Sequence, residues 1–136
     1  MGVYKTLEEE FDFDIIDEFM DHFEVMSETM EPTIVSLADT TDYDDKIEAL
    51  FRIFHNLKSA SGFLKMPLLN RLSEFAENVM EEARKTNGPA SEEFTNWLLM
   101  VSDQYAKWYD DLIRDNEEFT PLNFDIFNTP TTLEVA

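Results

Sequence analysis

The chain has 136 residues, with 30 Asp and Glu against 10 Lys and Arg, a formal net charge of −20. That field repels nucleic acid and anionic lipid and speaks against independent binding of nucleotide phosphates. Cysteine is absent, which removes disulfides, thiolate chemistry and Cys-ligated zinc. No apolar run approaches the roughly 18 residues of a membrane span, and the N-terminus lacks a signal-peptide pattern, so a cytoplasmic location is expected.

Twelve Phe and two Trp supply material for a packed core, while three Gly and five Pro favour long elements over many short strands. Met1 to Phe11 is a mixed lead-in with room for a short extra turn. The first long helix is predicted from about Asp14 to Ala38, where Ile15, Ile16, Phe19, Phe23, Met26, Met30, Ile34 and Leu37 recur at three- and four-residue steps. Asp12 or Asp14 can cap it, and Pro32 inside it predicts a kink or a break. His22, beside Asp21 on the polar side, is expected at the surface.

A second helix starts near Asp42 to Asp44, after Thr40-Thr41-Asp42, and reaches about Ser61. A third opens at Pro67, suited to a first helical position, and stops before Gly88-Pro89. A fourth opens at Ser91, with Glu92 and Glu93 where the helix dipole favours acids. Phe94, Leu98, Val101, Tyr105, Trp108 and Leu112 then form a seam. Short loops joining helices of similar length give an all-α, antiparallel up-down four-helix bundle over residues 14–115. It lies between a lead-in, 1–13, and a C-terminal tail or linker, 116–136.

That tail has no sustained apolar period, yet Phe119, Leu122, Phe124, Ile126 and Phe127 are too apolar for a solvated linker. They are expected to pack back on the bundle, with docking of a partner as the alternative. Deleting the tail is expected to lower stability modestly and to preserve the chemistry of the bundle.

The second helix carries His55-Asn56-Leu57-Lys58-Ser59-Ala60-Ser61-Gly62-Phe63-Leu64. Projected at about 100° per residue, Ala49, Leu50, Ile53, Phe54, Leu57, Ala60 and Leu64 share one arc, edged by Ile47 and Phe51. His55 falls nearly opposite, with Glu48, Arg52, Ser59 and Gly62 on its side and Lys58 on the flank. The histidine therefore points to solvent, with small residues around it and a cation nearby. An imidazole that another protein must reach and load with a phosphoryl group needs those surroundings. Most exposed histidines have no role, and Gly62 has a plainer reading as a helix terminator. On the third helix, Asn70, Glu74, Glu77 and Glu81 share a polar face. Such a stripe is commonly just solvated; alternatively, one carboxylate accepts a hydrogen bond from Nδ1–H of His55 and leaves Nε2 as the nucleophile.

Taken with a Gly-Phe-Leu turn and a third helix ending in Glu81-Glu82-Ala83-Arg84, this pattern resembles the histidine phosphotransfer (HPt) domain over about Asp14 to Leu112. It is most similar to the N-terminal phosphoacceptor domain of chemotaxis histidine kinases. The resemblance implies a phosphoryl carrier rather than an enzyme. His55 would be the phosphoacceptor through Nε2, Lys58 would stabilise phosphoryl charge, and Glu77 would orient the ring. Glu74 stands where the chemotaxis type often has a second histidine, and Ser59 where the family usually has Gly. Arg52, Ser59 and Gly62 belong to the implied docking surface, with contributions from the first helix.

The implied partners are a response-regulator receiver domain and a histidine kinase catalytic domain. They supply Mg²⁺ and ATP; no cofactor or metal is expected on this chain, nor a nucleic-acid or membrane partner. A free-standing relay protein and an excised kinase domain fit the resemblance equally, and a non-phosphorylated HPt-like interaction module is a further alternative. A di-metal bundle would need two Glu-x-x-His pairs, but Phe19 and Arg52 stand three residues before His22 and His55.

Overall fold

The computed structural model describes residues 1–135. Four long helices form the bundle: α2 (Phe13–Ser36), α3 (Tyr43–Phe63), α4 (Pro67–Ala83) and α5 (Glu92–Ile113). A shorter helix, α1 (Val3–Glu10), precedes them, and a 3₁₀ turn, Phe124–Phe127, follows. Among the described residues there is no strand, and no helix is long and apolar enough to cross a membrane.

Each bundle helix buries one stripe. Ile16, Phe19, Met20, Phe23, Met30 and Ile34 of α2 meet Phe94, Leu98, Val101, Tyr105 and Trp108 of α5, with Leu50, Phe54 and Leu57 of α3 and Leu69, Leu72, Ala76 and Met80 of α4 closing the core. Tyr105 sits at its centre, edge-on to Phe23 and Trp108 and stacked on Phe54. Its hydroxyl meets Ser73 Oγ at 2.6 Å. Ile15, counted with the core by periodicity, lies instead at the rim of a groove between α2 and α3, and Met20 takes a core place.

Helix ends follow local chemistry. Ser91 accepts a hydrogen bond from Phe94 N at 3.0 Å, and Pro67 takes the first turn of α4. Asp12 and Asp42 hold the N-cap positions of α2 and α3 without a side-chain cap bond. α3 ends with Lys65 in the left-handed conformation (φ 57°), Met66 N–H bonding Ser61 O and Lys65 N–H bonding Gly62 O. This is a Schellman closure, and the terminator is Lys65 rather than Gly62. Pro32 does not break α2. It sits on the exposed face, where water can serve the Glu28 carbonyl that its missing N–H leaves free.

Two additions complete the bundle. The lead-in forms a full eight-residue helix rather than a short turn, because α5's end caps it: Asp115 Oδ1 accepts from Tyr4 N and Lys5 N, and Asn116 O from Val3 N. The tail, for its part, fills the seam between α4 and α5, the adjacent helices that approach each other least. Leu122 and Ile126 are buried there, and Phe127 packs edge-on against Phe75 of α4. Trp97 donates to Ile126 O at 2.7 Å and Trp108 to Thr120 O at 2.8 Å. Buried Asp111 accepts from Thr120 N, Thr120 Oγ1 and Asn116 Nδ2. The end of the tail crosses to the α4–α5 loop, where Glu134 accepts from Asn87 N and Gly88 N. Phe124 alone of the tail aromatics stays largely outside, at 76% exposure.

Candidate functional site

α3 and α4 run antiparallel and share the most extensive helix–helix contact of the molecule. His55 stands on the outer side of α3, its side chain 52% exposed. Its Nδ1 lies 3.4 Å from Glu77 Oε1 on α4, a long contact. Lys58, one turn on, brings Nζ to 2.9 Å from Glu77 Oε2. That ion pair is the contact made by Oε2, which is itself buried. Glu77 therefore stands between the imidazole and the ammonium, with its side chain only 14% exposed.

Burial alone would push the Glu77 carboxyl up. Lys58 and then His55 outweigh that effect, and the group sits below the usual glutamate range. A carboxylate facing Nδ1 favours the tautomer with the proton on Nδ1 and leaves the Nε2 lone pair free.

Neighbouring residues hold the frame. Asn70 donates from Nδ2 to Lys58 O at 2.9 Å, joining α4 to α3 beside the lysine. A methyl group added at Gly62 would come within 3.2 Å of that same Nδ2, so the glycine leaves room for the link. Arg52, Ser59 and Gly62 are exposed along the His55 side of α3. Glu74 and Glu81 are exposed, and of the polar stripe on α4 only Glu77 reaches the imidazole. His22 is at the surface.

The sequence reading missed the group on the N-terminal side of the histidine. The Phe51 ring lies parallel to the His55 ring, 9° between planes and 6.3 Å between centroids. Arg84 covers the Phe51 ring, its Cζ 3.6 Å from the centroid. The same guanidinium forks onto Glu48 at 2.7 and 2.8 Å and reaches Glu81 at 3.1 Å. The available signal was Glu48, Phe51 and His55 at helical spacing, but the arginine comes from another helix.

On its α2 side the histidine strip borders an apolar groove of about 660 Å³, lined by Ile15, Phe19, Val25, Met26, Ala60 and Phe63, with Asn56 at its edge. Among the described residues, no three His, Asp or Glu side chains gather as a metal site.

The Hpt domain family model matches residues 14–113. The sensor histidine kinase CheAY of Helicobacter pylori is 29% identical over 72 residues, 53% of this chain and 9% of that protein. The chemotaxis protein CheA of Salmonella typhimurium is 22% identical over 112 residues, 82% of this chain and 16% of that protein. No solved structure matches. The bundle and the family match agree, and the chain belongs to the Hpt domain family, the histidine phosphotransfer modules of two-component signalling, which carry phosphoryl groups and are not themselves catalytic enzymes.

Proposed function

We propose that His55 is the phosphoacceptor and that Nε2 takes the phosphoryl group from a histidine kinase catalytic domain, or exchanges it with a response-regulator aspartate. The observation that carries this reading is the exposed imidazole whose Nδ1 faces Glu77, itself paired with Lys58. As the Nε2 lone pair bonds to phosphorus, the bond from phosphorus to the donor oxygen breaks and the ring gains positive character. The Glu77 carboxylate at Nδ1 stabilises that charge. Lys58, partly exposed beside the ring, can turn toward the phosphoryl oxygens.

Phosphoryl transfer is mainly positioning and charge stabilisation, so a side chain on a packed helix suits the task. In this reading the partners bring the Mg²⁺, and the kinase brings ATP. Arg52, Ser59 and Gly62 form the exposed landing strip, and the groove between α2 and α3 receives apolar side chains of the partner. A cytoplasmic setting follows from that chemistry, since ATP and receiver domains reside there. Whether the module works alone or within a longer kinase, the chemistry at His55 is the same.

The test is transfer from a chemotaxis-type kinase domain with ATP, or from an aspartyl-phosphorylated receiver. Wild-type protein should gain one acid-labile, base-stable phosphoryl group, and His55→Gln should gain none. Equal labelling of His55→Gln would overturn the assignment and leave the pure interaction module.

A further inference from the structure

We propose that Phe51 and Arg84 are positioning residues for His55: Arg84 locks the Phe51 ring, and that ring sets the plane of the imidazole. The proposal rests on His55 being the phosphoacceptor and names what else fixes its geometry.

The Glu77 contact cannot fix the ring by itself. At 3.4 Å it is a long hydrogen bond, and a single contact at one ring nitrogen leaves rotation about that axis open. A second constraint is needed, and it comes from the other side. The planes of Phe51 and His55 differ by 9°, an offset-parallel pair within the range of favourable aromatic separations.

A half-buried phenylalanine on a helix surface would ordinarily have freedom of its own. Here a guanidinium lies over it, with Cζ 3.6 Å from the ring centroid. That guanidinium is held by Glu48 from α3 and Glu81 from α4, through three hydrogen bonds. Order therefore passes from the Arg84 fork to Phe51 and on to the imidazole, one helical turn at a time along α3.

The arrangement also separates the two nearby cations. Arg84 commits three of its five N–H donors to Glu48 and Glu81 and stacks on Phe51, which holds it in that fork rather than at the phosphoryl group. Lys58 keeps that role. Arginine is required at position 84 for its planar fork, which lysine cannot reproduce.

The test uses the whole chain and phosphoramidate, a small phosphodonor that removes partner docking from the measurement. Nitrogen-15 NMR of the His55 ring, at a pH where it is neutral, reads the Nδ1–H to Nε2–H tautomer ratio, and side-chain couplings read its χ1 populations. Phe51→Leu and Arg84→Lys should each move both and slow phosphorylation by ~10-fold, part of the ~10²-fold that misplacement by 1 Å can cost. Phe51→Tyr keeps the flat ring and should restore wild-type values. An unchanged tautomer ratio and rotamer population in Phe51→Leu would overturn the proposal. So would Arg84→Lys behaving as wild type, which would reduce Arg84 to a surface charge. If wild-type protein takes no phosphoryl group, the assignment of His55 falls, while the NMR comparison still decides whether Phe51 and Arg84 position the ring.

Discussion

Lys58 and Glu77 are paired across the α3–α4 seam, Nζ to Oε2 at 2.9 Å, and the carboxylate they share with His55 is mostly withdrawn from water. Lys58→Ala removes the cation and leaves Glu77 its imidazole contact. The lysine is at the rim of the core with its side chain 34% exposed, so little packing is lost. Glu77 Oε2 is buried and keeps no other partner, so stability should fall by about 1–3 kcal/mol. Phosphorylation of His55 should slow by more than the loss of folded protein explains. A clear fall in melting temperature with normal transfer would make Lys58 a structural residue.

Glu77 also predicts a pH dependence. Its folded value is depressed, so its contribution to stability is present above the ordinary glutamate pKa of about 4.3 and is lost as pH falls through the folded value. Thermal melts of wild type and Glu77→Gln should therefore differ most near neutrality and converge in acid. In Lys58→Ala the loss should begin at higher pH, because the strongest group holding the carboxyl down is gone. A difference between wild type and Glu77→Gln that stays constant from neutrality into acid would show that the carboxylate's charge is not what stabilises the site.

The periodic parts of the molecule were legible in the sequence. Apolar steps of three and four marked α2 to α5, Ser91 and Pro67 marked two starts, and helical projection placed His55 outside. What escaped was non-local. α1 depends on Asp115, a residue in the left-handed conformation far along the chain. The Arg84 clamp joins two helices through a stack that no single-helix period reveals. The tail has no repeat because its irregular backbone is satisfied by side chains of α5, namely Trp97, Gln104, Trp108 and Asp111. Ser61 and Ser73 are buried because each hydroxyl bonds a carbonyl one turn back in its own helix.

The Tyr105–Ser73 contact carries a directional prediction. Ser73 donates its one hydroxyl proton to Leu69 O at 2.7 Å, so Tyr105 must donate to Ser73 Oγ. Both residues are fully buried, and burial pushes the phenol's pKa up. Ser73→Ala should cost about 1–3 kcal/mol, because it strands the phenol in the core. Tyr105→Phe should cost less, about 0.5–1.5 kcal/mol, since Ser73 keeps its carbonyl. The double variant should be less destabilised than the sum of the two. Equal costs that add in the double variant, measured by urea denaturation, would show that the hydroxyls do not depend on each other.

The tail is the part of the molecule whose energetic weight the sequence understated. Its apolar residues stand in for direct packing between α4 and α5, so removing it uncovers the core rather than trimming a linker. Leu122 and Ile126 are each worth about 1.5–3 kcal/mol when fully buried. Trp97, Trp108 and Asp111 lose their tail partners as well. Deleting residues 117–136 should therefore cost at least about 3 kcal/mol, a large share of a typical domain's 5–15 kcal/mol. Tryptophan emission should shift to the red as both indoles meet water, and the urea midpoint should fall. His55 lies on α3, outside the seam the tail covers, so the folded fraction of the truncated protein should still accept phosphate at its normal rate. Ile126→Ala offers a milder version, expected to cost about 2–5 kcal/mol with transfer intact. Loss of transfer in an Ile126→Ala protein that still melts cooperatively would mean that the tail helps shape the histidine site, contrary to its placement against α4 and α5.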